Sequence, residues 1–190
     1  MSHSHTSASR TTLGFWVYLM SDCVLFASLF ATYAVLHGNT FDGPTAADIF
    51  SLPFVLLETM VLLTSSFTCG LAFIALHRKS RGLFAMLLLV TAGLGLIFVG
   101  LEISEFVKLV SEDAGPDRSA FLSSFFTLVG THGVHVSIGV LWMLFLLAQT
   151  FFDDITETIV RRAACLVLFW HFLDIVWIFI FTLVYLFGAL

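Results

Sequence analysis

Residues 165–188 read CLVLFWHFLDIVWIFIFTLVYLFG, and apart from His171 and Asp174 the stretch is almost wholly apolar. A helix needs about 20 such residues to cross roughly 30 Å of hydrocarbon. Inside lipid a helix satisfies its own backbone N–H and C=O groups, which irregular chain cannot do. This stretch therefore predicts a membrane-spanning helix. It also raises a question: why do a histidine and a carboxylate stand three residues apart at its centre?

Four more apolar stretches lie upstream, and together the five predict spans at Leu13–Leu36, Leu52–Leu76, Gly82–Phe106, Ala120–Gln149 and Ala163–Gly188. The breaks between them carry turn residues or charge: HGNTFDGPTAAD, HRKSR, KLVSEDAGPDRS and DDITETIVRR. Over the 190 residues, 59% are hydrophobic and 11% charged, with a mean hydropathy of +1.02. Soluble domains carry about 25% charged residues. The chain reads as an all-α membrane protein, a single five-helix domain from residue 13 to 190, with no room for a soluble catalytic domain. Short alternating segments of the kind that build a β-barrel do not occur.

Residues 1–12, MSHSHTSASRTT, lack the apolar core of a signal peptide and read as an irregular polar tail. Cys23, Cys69 and Cys165 fall in apolar stretches at no metal-ligating spacing and are expected as buried free thiols. Of the eight basic residues, Arg10, Arg78, Lys79, Arg81, Arg161 and Arg162 flank one side of the spans, and Lys108 and Arg118 the other. The excess of Lys and Arg marks the cytoplasmic side. This places the N-terminal tail in the cytoplasm and the C-terminus in the periplasm. Arg78, Lys79 and Arg81 then sit where anionic lipid headgroups can bind. The basic residues form no patch of the kind that binds nucleic acid, and no such partner is expected.

Inside the spans lie Asp22, Glu58, Glu102, Glu105, His132, His135, His171 and Asp174, with no deep Lys or Arg to neutralise the acids. A charge at mid-bilayer costs at least about 2.5–3.5 kcal/mol on insertion scales. The acids must therefore be protonated, hydrogen-bonded to histidine, hydroxyl or indole groups, or matched by lipid or another subunit. His132 and His135 share a face of span four, and Trp170, His171, Asp174 and Trp177 share one of span five. The histidines are the obvious partners for the acids. Small residues should let the helices approach: Gly130, Gly133 and Ser137 on span four, Gly93 and Gly100 on span three. A pair of histidines three apart on one helix lies on one side of a haem and does not supply both axial ligands, and no haem-attachment motif is present. No catalytic, cofactor or metal site is expected in this chain. A proton path through Glu58 and Glu102 lacks a continuous relay in sequence. An independent transporter or proton channel would more naturally show internal repeats and broken helices, and neither is evident.

The segments GFWVYLMSDCVLFASLFATYAVL, FVLLETMVLLTSSFTCG, GLEISEF, GPDRSAFLSSFFTLVGTHGVHVSIGVLWM and CLVLFWHFLDIVWIFIFTLVYL together resemble subunit III of the haem–copper terminal oxidases. The similarity runs from Gly14 to Leu190 and is greatest to the five-helix form found in cytochrome bo-type ubiquinol oxidases. It implies an accessory subunit of a respiratory proton pump in the bacterial inner membrane, one that oxidises ubiquinol and reduces oxygen to water. It also implies that haems and copper belong to a partner, subunit I, and that this chain stabilises subunit I and holds phospholipid in a helix cleft. Asp22, Glu58, Glu102, His132, His135, His171 and Asp174 are then interhelical hydrogen-bonding or lipid-binding groups.

Overall fold

The computed structural model describes residues 3–40, 51–152 and 156–188. Five long helices make up nearly all of them: α1 (His3–Leu36), α2 (Leu52–His77), α3 (Arg81–Ser111), α4 (Ala120–Phe152) and α5 (Glu157–Ile180). The last is continued by a π-helical segment, Phe181–Leu186. All five are long and apolar enough to cross a membrane.

Several helix ends differ from the sequence reading, and α5 begins at Glu157 rather than at the expected Ala163. The helix of α1 continues back to His3, through the tail expected to be irregular. Once a span has supplied the helix nucleus, each added Ser, Thr, His or Ala costs less than about 0.7 kcal/mol in propensity. Similarly, α3 has 31 residues and extends through Ser111, past the expected end at Phe106. At 1.5 Å per residue it is about 46 Å long, so its ends reach beyond the hydrocarbon.

The helix ends are set by local chemistry. Pro53 stands in the first turn of α2, where a missing N–H costs nothing. At the other end Lys79 takes a left-handed conformation (φ 55°). There Lys79 N–H donates to Leu76 O (2.9 Å) and Ser80 N–H to Ala75 O (3.1 Å). This is the Schellman arrangement. Asp113 (φ 59°) closes α3 in the same way, with Ala114 N–H donating to Leu109 O at 2.9 Å. The Ser119 hydroxyl accepts from Leu122 N–H at 3.2 Å and Thr156 from Ile159 N–H at 3.4 Å, capping α4 and α5.

Helices α2 and α3 form a hairpin; α3 packs on α4, and α5 lies against both α2 and α4. Helix α1 joins from the opposite edge, against α4 and α5. It buries a narrow stripe of Leu19, Asp22, Phe26 and Tyr33. From Thr12 onward most other α1 side chains point outward, among them Val17, Val24 and Val35. The largest buried side chains belong to α5 and its π continuation: Trp170, Trp177 and Tyr185, none more than 1% exposed. Cys69 is the only buried thiol of the three expected ones; Cys165 is half-buried, and Cys23 faces outward because α1 buries so little of its circumference.

Candidate functional site

The intramembrane polar groups fall into three clusters, each joining helices distant in sequence. The first ties α1 to α4. His135 Nε2 lies 3.8 Å from Asp22 Oδ2. Its Nδ1 is 2.7 Å from Thr131 O one turn earlier, which orients the ring as an N–H donor would. Phe26 packs on the same imidazole, with ring centroids 5.3 Å apart.

The second ties α2 to α5. His171 Nδ1 is 3.6 Å from Asp174 Oδ2 on its own helix and 2.6 Å from the Ser66 hydroxyl on α2. The adjacent indoles do the same work: Trp170 Nε1–H donates to Ser65 Oγ and Trp177 Nε1–H to Thr59 Oγ1, each at 3.0 Å. Thr91 extends the contact to α3 through a 2.8 Å hydroxyl pair with Thr68. A buried indole needs an acceptor, and in each case a hydroxyl on α2 supplies it.

The third cluster is acidic. Glu58 on α2 and Glu102 and Glu105 on α3 are all buried in the bundle. Tyr185 donates to Glu105 Oε2 at 2.9 Å. It can do so because the π-helical segment brings Val184 and Tyr185 into the core. Both carboxylate oxygens of Glu58, Oε1 of Glu102 and both nitrogens of His132 are buried without a hydrogen-bond partner. His132 was expected to pair with an acid, yet it stacks on Trp177 instead (5.3 Å, 27°). Phe98 meets it edge-on at 5.9 Å. The reason is rotation along α4: one turn on, His135 faces α1, whereas His132 faces the aromatic side chains of α3 and α5.

The small residues also sort differently from the sequence reading. A Cβ on Gly133 would stand 2.6 Å from Glu102 Oε2, so this glycine makes the space for that carboxyl group. Gly130 makes only ordinary contact, and Gly93 and Gly100 have nothing within 4 Å. Ser137 bonds to the Gly133 carbonyl of its own helix. The glycines that admit a neighbour are Gly95 and Gly139, which clasp the Trp170 ring from α3 and α4; a Cβ on either would stand 2.8 Å from it. A signal for Gly95 existed in the sequence. It falls seven residues before Glu102, on the stripe the acids mark, while Gly93 and Gly100 fall off it.

Arg78 and Lys79 are exposed at the α2–α3 turn, where Arg81 begins α3. They take no part in the clusters. Arg161 and Arg162, read in the sequence only as marks of topology, edge a cleft of about 530 Å³ walled by Phe15, Tyr18 and Trp142. Arg162 there donates to Gln149 Oε1 at 2.8 Å. Among the described residues no group of three or more His, Cys, Asp and Glu side chains is arranged to hold a metal ion. The arrangement joins helices and holds buried hydrogen-bonding groups in place.

The model for the cytochrome c oxidase subunit III family matches residues 1–189. The chain belongs to that family. Among its relatives is the cytochrome bo(3) ubiquinol oxidase subunit 3 of Pseudomonas aeruginosa, 58% identical over 188 residues, covering 99% of this chain and 90% of the relative. The protein of the same name from Pseudomonas putida is 52% identical, covering 98% and 90%. A probable quinol oxidase subunit 3 from Staphylococcus haemolyticus is 43% identical, covering 99% of this chain and 98% of the relative. Alignments of this extent run through every helix described here.

Proposed function

We propose that this chain is the accessory third subunit of a proton-pumping cytochrome bo-type ubiquinol oxidase, a complex that oxidises ubiquinol and reduces oxygen to water. The observation that carries this reading is the 58% identity to a subunit so named, over 99% of the chain. The chain itself is not catalytic: haems and copper belong to subunit I, and the polar side chains here serve helix packing. The His171–Ser66 and Asp22–His135 contacts support that role, since each links helices that are far apart in sequence. By fixing a rigid bundle beside subunit I, the chain stabilises the complex in the bacterial inner membrane, with its N-terminus cytoplasmic and its C-terminus periplasmic.

Phospholipid is the second partner. The cleft between α1, α4 and α5 has apolar walls at Phe15 and Trp142 for an acyl chain and two guanidinium groups, Arg161 and Arg162, for a phosphate. Arg78, Lys79 and Arg81 add a second headgroup contact on the same side of the membrane.

The test is purification of the tagged chain from native membranes in mild detergent. The expected result is a complex with a larger, haem-bearing chain that consumes oxygen with ubiquinol as donor. Recovery of the chain without such a partner, together with solute or proton flux when it alone is placed in liposomes, would favour a transporter or channel instead.

A further inference from the structure

The acidic cluster of α2 and α3 carries more hydrogen-bonding capacity than the side chains around it use. Two contacts fix how these antiparallel helices lie against each other. The Ser65 hydroxyl donates to Thr91 O at 3.5 Å, and the Thr68 and Thr91 hydroxyls pair at 2.8 Å. Toward the start of α2, Phe54 and Glu105 line one pocket together with Ser51, Ser104 and Lys108. One turn inward from Phe54 on α2 is Glu58, and three residues inward from Glu105 on α3 is Glu102. The two acids therefore face each other across the hairpin, about 9 Å along α2 from its first residue. Glu58 is 0% exposed and Glu102 3%. Both oxygens of Glu58 and Oε1 of Glu102 lack a hydrogen-bond partner among the described residues.

The surroundings decide what meets those oxygens. The other titratable groups on the packed elements are Glu105 and Lys108 on α3, His132 on α4 and Tyr185 on the π-helical segment. Lys108 is exposed at the rim of the pocket. Tyr185 donates to Glu105, and His132 stacks on Trp177. The acid of α1, Asp22, lies with His135 in another cluster. Two ionised carboxylates would stand side by side in the bundle with no buried cation to match them, so both are neutral acids. An anion would meet more acid oxygens, and among the described residues no group of His, Cys, Asp and Glu is arranged for a metal ion. A carboxylic acid needs a partner that both donates and accepts, and a buried water is the small molecule that does so. The pocket beside Glu105 holds about 200 Å³. That is room for several waters at about 30 Å³ each, and too little for a phospholipid. One turn deeper than the two acids, the way is shut by Leu62, Phe98 and Trp177, none more than 1% exposed. The rings of Phe98 and Trp177 meet edge to face at 4.7 Å.

We propose that Glu58 and Glu102 form a dead-end proton site, two neutral carboxylic acids bridged by bound water. The site exchanges protons with the aqueous phase through the Ser51–Lys108 pocket, past Glu105, and is closed toward the membrane centre by Leu62, Phe98 and Trp177. An acid O–H passes its proton to the bridging water and receives one back, so the charge of the site does not change. Exchange takes place from one side only, and nothing is carried across the membrane.

The test is infrared spectroscopy of the detergent-purified complex in ordinary and heavy water. Subtracting the spectrum of Glu58→Gln, or of Glu102→Gln, from that of the wild type should leave the C=O band of a protonated carboxylic acid. That band should move to lower frequency within minutes of transfer to heavy water. Ser104→Phe, which fills the pocket, should slow the move severalfold. Loss of a carboxylate band in place of an acid band, or loss of no band in either variant, would overturn the proposal. So would a band that stays put after a day in heavy water, or one that added sodium or calcium abolishes, which would mark a cation site instead. An equally fast move in Ser104→Phe would overturn the entrance and with it the one-sided site. If the amide variants fail to assemble, Glu58→Asp keeps the acid and should show its band displaced from that of the wild type; an unchanged spectrum would overturn the assignment.

Discussion

Replacing Gly139 by alanine tests the packing of the bundle at its tightest point. The new Cβ would stand 2.8 and 2.9 Å from two carbons of the Trp170 ring, about 0.6 Å inside the 3.4 Å at which ordinary contact begins. The ring has nowhere to go. Gly95 faces its far edge at an equally short distance, and its Nε1–H is held by Ser65. Overpacking a close-packed site costs about 1–3 kcal/mol. The gain in helix propensity from Gly to Ala returns about 1 kcal/mol, so a net loss of up to about 2 kcal/mol is expected where the ring cannot yield. Gly93→Ala and Gly100→Ala meet open space and should be neutral or stabilising by up to about 1 kcal/mol. The assay is thermal inactivation of the detergent-purified complex, followed by retention of this chain on its partner. Gly139→Ala should lower the midpoint by several degrees and Gly93→Ala should not. Equal midpoints would mean that Trp170 is not clasped between α3 and α4, and the packing scheme would be wrong.

Three further outcomes follow from the hydrogen bonds. Trp177→Phe keeps a ring against His132 but removes the donor to Thr59; it should cost about 1 kcal/mol, and Thr59→Val should cost little more in that background, as a double-mutant cycle of thermal stability would reveal. Tyr185→Phe leaves Glu105 Oε2 without its phenol and should destabilise the bundle by about 1–3 kcal/mol, read as a lower yield of assembled complex. Asp174→Leu should also lower that yield by loosening the α2–α5 contact around His171 and Ser66; normal assembly and normal detergent stability would rule out a structural role for the carboxylate.

The all-helical architecture was legible because a bilayer imposes one dominant rule on sequence, and runs such as Leu52–Leu76 obey it within a residue of the observed helix. The pairing of His171 with Asp174 was equally legible, since helical spacing alone brings them together. Contacts between helices were less so. Asp22 meets His135 and Tyr185 meets Glu105 only once the helices have a rotation and a depth, and period alone fixes neither. The π-helical segment was invisible for a related reason. Its residues FTLVYL are ordinary span residues, and packing rather than composition fixes the local winding there. His132 shows the same limit in reverse: it shares a helix with His135 and still faces a different neighbourhood.

Metal analysis of this chain, released intact from its purified complex, bears most directly on the central claim that the histidines and carboxyl groups within its spans serve packing. The expected result is no bound haem, iron or copper in the released chain, with the full haem spectrum remaining on the larger partner. Stoichiometric iron or copper held by His132, His135 or His171 would contradict it.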